Sequence, residues 1–477
     1  MKKLFSNYIF VLLNQIISML VTFVTTPYIS RVLQPEGIGQ NAYVTSIVQL
    51  FTMFCLLSIP TYGAREIAIH KNDQKETAKI FFSIYSLQVI LSCLVLVAYL
   101  AFLVFFKSGH VLFLINIVIV LSSMLDISWY FFGKEEAKKI VFRNVSMRIL
   151  GVVCIFIFVN TPEDLALYVF ILALSAFLGQ LVMWIPLLKE VKFEQLERLE
   201  VKRHLNPIIV LFFPQLAILI YGNLNNVILG FLSGDVELGF YNQAYNTVFL
   251  ILGIISSLST VMLPRMAHEF SEGNMESVKR YVKHVLQFVL FISIPMMFGL
   301  IGIAPNFVQW FFGPDFEPVG VLLMIISCKV LLVGLANVFG IQVLVATHQQ
   351  NKFTISVTMG ALSSVMINVL LANALGSIAT ALALVTAEIV GVLFQMYFTR
   401  KYYELSYFVK ELVKYLIVGA MMYGVIMLAT SLVNLSMMLL SIFQIGLGTV
   451  VYIGVLWMIR DSFIKKLGDM IKNRKFS

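Results

Sequence analysis

The sequence predicts an all-α integral membrane protein with fourteen transmembrane helices, and three observations predict it. Hydrophobic stretches about 20 residues long follow one another from Tyr8 to Arg460, each closed by a short polar turn. A hydrocarbon core of about 30 Å takes roughly 20 apolar residues per helix, and stretches such as 111–132 and 436–459 meet that length with few charges. Composition agrees: the 477 residues are 60% hydrophobic and only 12% charged, with a mean hydropathy of +0.91, whereas soluble domains carry about 25% charged residues. The third observation is that Lys and Arg gather in alternate turns.

In order, the spans run 8–30, 40–62, 80–105, 111–132, 143–160, 165–188, 207–232, 239–263, 285–304, 319–346, 353–373, 377–398, 411–431 and 436–459. An even number places both termini on one side. With that side cytoplasmic, all but four of the 34 Lys and Arg fall in inside turns or the inside tail, as the positive-inside rule requires. The four are Arg31 and Lys107 at the outer face, and Arg148 and Lys329 within spans. Met1-Lys2-Lys3 and the run after it resemble a signal sequence only at the start: the run is too long for a cleavable segment and no A-x-A site follows, so it is read as the first membrane helix.

The net charge of +9 would suggest nucleic acid in a soluble protein. Here the basic residues sit at helix ends, where they set orientation and meet anionic lipid headgroups, so no nucleic-acid partner is expected. Cys55, Cys93, Cys154 and Cys328 lie apart in apolar stretches without ligand spacing, and read as small core residues. No Walker loop is present, so ATP is not the direct energy source, and nothing signals a metal or cofactor.

Residues 189–206 form the longest polar segment between spans, with Val191, Phe193, Leu196, Leu199 and Val201 at helix-like spacing. This is expected to be an interfacial linker on the cytoplasmic side. It divides the chain into an N-terminal lobe, 1–188, with helices 1–6, and a C-terminal lobe, 207–400, with helices 7–12; residues 401–477 add helices 13 and 14 and a basic cytoplasmic tail. A faint repeat supports the division. The segment Leu33 to Gly39, followed by Asn41 and Tyr43, resembles Leu232 to Gly239, followed by Asn242 and Tyr245. Repeated halves mark alternating-access transporters, whose site lies between them.

Four stretches carry a family likeness: Pro27 to Arg31 running into Gly37-Ile38-Gly39; Tyr62 to Ala68 (YGAREIA); Asp126 to Glu135 (DISWYFFGKE) with Arg143-Asn144; and Ile228 to Gly230 through Gly239-Phe240-Tyr241 to Leu263-Pro264-Arg265. With the fourteen spans they cover essentially the whole chain. The chain resembles the repeat-unit flippases for lipid-linked oligosaccharides, in the polysaccharide transport branch of the multidrug/oligosaccharidyl-lipid/polysaccharide superfamily. The resemblance implies a MATE-like pair of six-helix lobes around a central cavity plus a C-terminal helix pair. It also implies a cargo, an undecaprenyl-diphosphate-linked sugar repeat unit carried to the outer leaflet of a bacterial plasma membrane, and association with a polysaccharide polymerase and glycosyltransferases. Similar proteins often carry an Asp-Lys pair on helix 7, where this chain has Asn225-Asn226. Coupling to a proton or sodium ion would then be absent or use other groups.

Candidate residues follow from where polarity meets the membrane. Lys329 lies ten residues into its span, about 15 Å deep by helical rise, where an ammonium costs roughly 2.5 to 3.5 kcal/mol on insertion scales. Two readings stand: a cation for the substrate diphosphate, or a structural pair with Glu388 at similar depth. Arg148 and Asp126, on consecutive helices about 7 to 9 Å from the inner face, are expected either to pair or to bind headgroup or ion. Arg31 lines the outer mouth of the cavity or snorkels at the interface. Arg65 anchors the inner end of helix 2 or contacts an entering phosphate. Asn223, Asn225 and Asn226 either hydrogen-bond sugar hydroxyls or join helices, the latter worth roughly 0.6 to 2 kcal/mol per bond.

Three rival functions fit the sequence less well, one of them a channel, for which no repeated carbonyl-filter motif such as TVGYG appears. A MATE-like exporter of drugs or another lipid usually has twelve spans and an acidic cavity, against the two extra spans and buried cations here. A membrane polymerase would place its catalytic groups in a substantial outer loop, but the longest here, 305–318, offers only Asp315 and Glu317. The expectation is a transporter and not an enzyme.

Overall fold

The computed structural model describes residues 2–105, 111–191, 199–271 and 275–465, and within them the chain is helical with no strand. The helices are α1 (Lys2–Leu56), α2 (Ile59–His70), α3 (Gln74–Phe105), α4 (Val111–Ile115), α5 (Ile117–Met124), α6 (Ser128–Gly133), α7 (Ala137–Phe158), α8 (Leu165–Glu190), α9 (Val201–Ser233), α10 (Asp235–Ser271), α11 (Met275–Phe311), α12 (Val319–Ala336), α13 (Gln350–Leu375), α14 (Ser377–Thr399), α15 (Leu405–Leu432) and α16 (Met437–Met458). Eleven helical segments among the described residues are long and apolar enough to cross a membrane. Large apolar side chains such as Leu94, Val104, Leu370 and Trp457 stand exposed on their flanks. Lipid, not water, is the solvent that such faces match.

The breaks have local causes. In α1 the chain turns at Gln34, with φ 59° and ψ 176°, immediately before Pro35; Pro removes a backbone donor and restricts the residue before it. Pro60 stands in the first turn of α2, where a missing N–H costs nothing. Gly376, at φ 55° and ψ −133°, separates α13 from α14 in a conformation open to glycine. The expected linker helix falls partly on 192–198, outside the described residues; around them α8 runs to Glu190 and α9 already begins at Val201. Lys107 and the tail beyond Lys465 also lie outside.

Contacts divide the chain into two units: residues 1–230 with 234–239, and residues 231–233 with 240–477. In the first, an aromatic core of Phe81, Tyr130, Trp129 and Trp184 packs beside the break between α5 and α6. That break strands carbonyls within the helix bundle, and side chains satisfy them. The buried Gln88 amide donates to the carbonyls of Ser123 (3.0 Å), Met124 (3.3 Å) and Asp126 (2.8 Å), and the Trp184 indole donates to Leu125 O at 3.0 Å. Trp129 Nε1 donates back to Gln88 Oε1 at 3.1 Å. Gly63 lies flat on Trp129, where a Cβ would come within 2.6 Å of the ring.

In the second unit α13 and α14 form a close antiparallel pair. A Cβ at Gly360 would lie 2.6 Å from the Ala387 carbonyl oxygen, and Thr380 donates to Asn368 Oδ1 at 2.8 Å. α12 runs on as a π-helix, Asn337–Val345. Helices α11, α15 and α16 share a core that includes Leu290, Ile294, Tyr415, Met422 and Tyr452.

Candidate functional site

The second unit holds a cation deep in its helices. Lys329, on α12, is 7% exposed, and its Nζ lies 3.1 Å from Glu388 Oε1 on α14. The same ammonium stands 5.2 Å from the ring centroid of Tyr245 on α10. Tyr241, Tyr245 and Phe249, spaced four residues apart on one helix face, form a near-parallel row with centroids 6.0 Å apart. A cation–carboxylate pair seated on a ring satisfies a charge that hydrocarbon would reject. An ammonium has three donors and one carboxylate oxygen takes one of them, so the group has the capacity to engage a further anion, beside Glu388 or in its place.

Two turns beyond Lys329, α12 changes pitch to the π-helix. Asn337 at its start is buried, and its Nδ2 has no hydrogen-bond partner among the described residues. π-Helical insertions are rare and occur frequently at functional positions; this one runs for nine residues.

In the first unit, Arg31 is exposed and lines an open cleft of about 550 Å³ with Tyr28, Gln34, Asn160 and Pro162. Tyr28 Oη donates to Val159 O at 2.7 Å, fixing the wall of that cleft. Arg65 reaches Glu66 at 3.1 Å and lies over the Tyr62 ring, 5.4 Å from its centroid. Asn226 Nδ2 donates to Ser46 Oγ at 2.9 Å, tying α9 to α1, while Asn225 is buried and Asn223 half-buried.

The pairing of Arg148 with Asp126 does not form. Asp126 Oδ1 instead accepts the Ser128 backbone N–H at 2.9 Å in the turn that leads into α6, and Arg148 is exposed. The buried cation of α7 is Arg143, which donates to Gln180 Oε1 at 2.6 Å and to Asn144 Oδ1 at 2.6 and 3.0 Å, with Asp126 in electrostatic range. Five residues turn a helix by about 140°, so Arg143 and Arg148 cannot share a face.

Three polar groups escaped the sequence reading. Gln88 was hidden because one Gln in an apolar helix carries no sign that a neighbouring helix breaks opposite it. At the end of the second unit, Lys414 Nζ bridges Glu411 (2.5 Å) and Asp461 (2.6 Å), and Gln287 reaches Glu411 and Ser462; the i, i+3 spacing of Glu411 and Lys414 was the available signal. At the start of α9, Lys79 and Arg203 hold the Glu200 carboxyl below the usual carboxylate range.

Comparison with known proteins supplies the family. The profile of the polysaccharide biosynthesis protein family matches residues 4–270, more than half of the chain. This chain belongs to that family. A putative O-antigen transporter of Escherichia coli K12 is 25% identical over 76% of this chain and 88% of its own length, and one of Shigella dysenteriae is 22% identical over 79% and 95%. Among solved structures, the lipid II flippase MurJ superposes with a TM-score of 0.71 at 17% identity, covering 96% of this chain and 99% of its own. An inward-facing MATE multidrug transporter gives 0.65 at 14%, covering 80% and 93%. At such identities the structural likeness shows a shared fold.

Proposed function

We propose that this protein is a flippase that moves undecaprenyl-diphosphate-linked oligosaccharide repeat units from the inner to the outer leaflet of a bacterial plasma membrane, for cell-surface polysaccharide. The observation that carries the reading is the Lys329–Glu388 pair against Tyr245, a fixed cation about halfway along an apolar helix in a member of a polysaccharide biosynthesis family. A diphosphate and its sugars cannot cross hydrocarbon unaided, because each unpartnered charge costs several kcal/mol or more. Lys329 offers the diphosphate a partner in exchange for Glu388, and the ring row beside it offers flat faces to sugar rings. The transporters of Escherichia coli and Shigella, whose descriptions name O-antigen, support the cargo class.

The reading includes fourteen crossings, with α1 crossing twice around Gln34 and α9 and α10 each crossing once, both termini cytoplasmic, and alternating access as the cycle. Arg31 releases the diphosphate at the outer side and Arg65 meets it at the inner side. A proton or sodium ion balances Glu388 when the substrate holds Lys329. Export of cationic drugs is the weaker reading, because Glu388 is already engaged by a lysine. Depletion in the native host tests the function: lipid-linked repeat units should accumulate and stay shielded from a probe outside the cell, while surface polymer falls. Normal surface polymer without the protein would reject the assignment.

A further inference from the structure

The first turns of α11 present a second basic site, outside the groups used above. α11 has 37 residues, about 55 Å by helical rise, against a hydrocarbon core of about 30 Å. Its most polar end, Met275 to Lys283, therefore extends past the acyl chains to the depth of headgroup phosphates. Val278, Val282 and Leu286 bury one face of this end in the unit's core. The flank beside that face carries Lys279 and Lys283, one turn apart and exposed.

Across from them stand Tyr403 and Tyr407, enclosing a cleft of about 220 Å³ that Leu286, Arg280 and the two carboxylates Glu276 and Glu404 also line. Lys283 Nζ rests 4.0 Å from the Tyr407 ring centroid, held by a π face and not by an anion. Arg280 is paired with Glu276 at 3.3 Å, but neither lysine has an ion-pair partner among the described residues. The volume falls below the roughly 300–1,000 Å³ of pockets for drug-sized ligands. It suits a small tetrahedral anion. Two ammoniums spaced by one turn, oriented by a packed helix and walled by tyrosines, make a receptor of that charge and size.

We infer that the Lys279–Lys283–Tyr407 cleft binds a phosphate group, in the form that its depth favours: the phosphate of an anionic lipid headgroup. The site stands independently of the transport reading, so its test measures binding alone. The full-length protein, purified in neutral detergent, is titrated with phosphatidylglycerol and read by native mass spectrometry, and separately with inorganic pyrophosphate by equilibrium dialysis. Wild type is compared with K279Q/K283Q, Y407L, and a control of equal charge loss, K352Q/K401Q. All four substituted lysines lie at polar helix ends, and circular dichroism verifies each fold.

The expected result is at least a fivefold loss of retained phosphatidylglycerol in K279Q/K283Q, a smaller loss in Y407L, and no change in the control. The same pattern with pyrophosphate alone assigns the cleft to a soluble phosphate and sustains the site. Equal losses in the control, or binding untouched by K279Q/K283Q in both arms, would overturn it.

Discussion

Gly39 and Gly239 occupy matching places in the two copies of the repeated segment, and each lies against the backbone of the other copy. A Cβ on Gly39 would fall 1.7 Å from the Asp235 carbonyl oxygen, and one on Gly239 would fall 2.0 Å from the carbonyl oxygen of Pro35. Pro35 and Asp235 are themselves at matching places, so the contact is reciprocal. All four residues belong to the first unit.

Neither glycine can then accept a methyl group without moving backbone. Gly39→Ala and Gly239→Ala should each destabilise the protein by about 3 kcal/mol or more, in the upper part of the range for overpacking. Thermal unfolding in detergent reads the effect, with Gly454→Ala, at an open position, as the comparison. Wild-type stability in either variant would show that the reciprocal contact is absent.

The ion pair gives a second expectation. Breaking one side of a largely buried pair leaves an uncompensated charge, typically costing about 3 to 5 kcal/mol, whereas removing both sides costs far less. Lys329→Ala and Glu388→Ala should therefore each lower stability, and the double variant should recover much of it. Transport separates the roles: a diphosphate ligand at Lys329 predicts that the double variant stays at least tenfold impaired. Full transport in the double variant would make the pair purely structural.

The all-helical membrane architecture was legible before any coordinates, because hydrocarbon leaves a chain few options. Lys329 and Glu388 could be matched by depth, since helical rise converts residue count to distance. Rotation was harder. Arg143 and Arg148 lie about 7.5 Å apart along one helix, yet only the first points inward, and nothing in an apolar run of several helices says which face is buried. The breaks at Asp126 and Asn337 were also hidden: 111–132 reads as one span, but Asn116 and Asp126 divide it into α4, α5 and α6. Their compensation comes from other helices, which no local pattern reveals.

Gln88 tests that compensation. Gln88→Leu keeps the volume roughly constant but removes the donors to Ser123, Met124 and Asp126 and the acceptor for Trp129. The loss should be on the order of 3 kcal/mol, since buried groups without partners cost about 1 to 3 kcal/mol each. Trp129 fluorescence and thermal unfolding would report it. An unchanged melting point would mean that other groups satisfy the break.

Orientation is checked by reporter fusions. Those after Thr161 and Leu432 should read outside, and those after Lys189, Arg280 and Arg400 inside. An outside reading at Arg280 would require a different helix count.

Movement of a lipid-diphosphate oligosaccharide between leaflets is measured in sealed liposomes that carry the purified protein. A fluorescent lipid-diphosphate oligosaccharide is loaded, and its exposure on each face is followed with an impermeant glycan-modifying enzyme. The account predicts that substrate becomes accessible on the opposite leaflet without ATP and without any new covalent product, and that Lys329→Ala slows this at least tenfold. Substrate confined to its original leaflet, or a longer glycan in place of a relocated one, would contradict it.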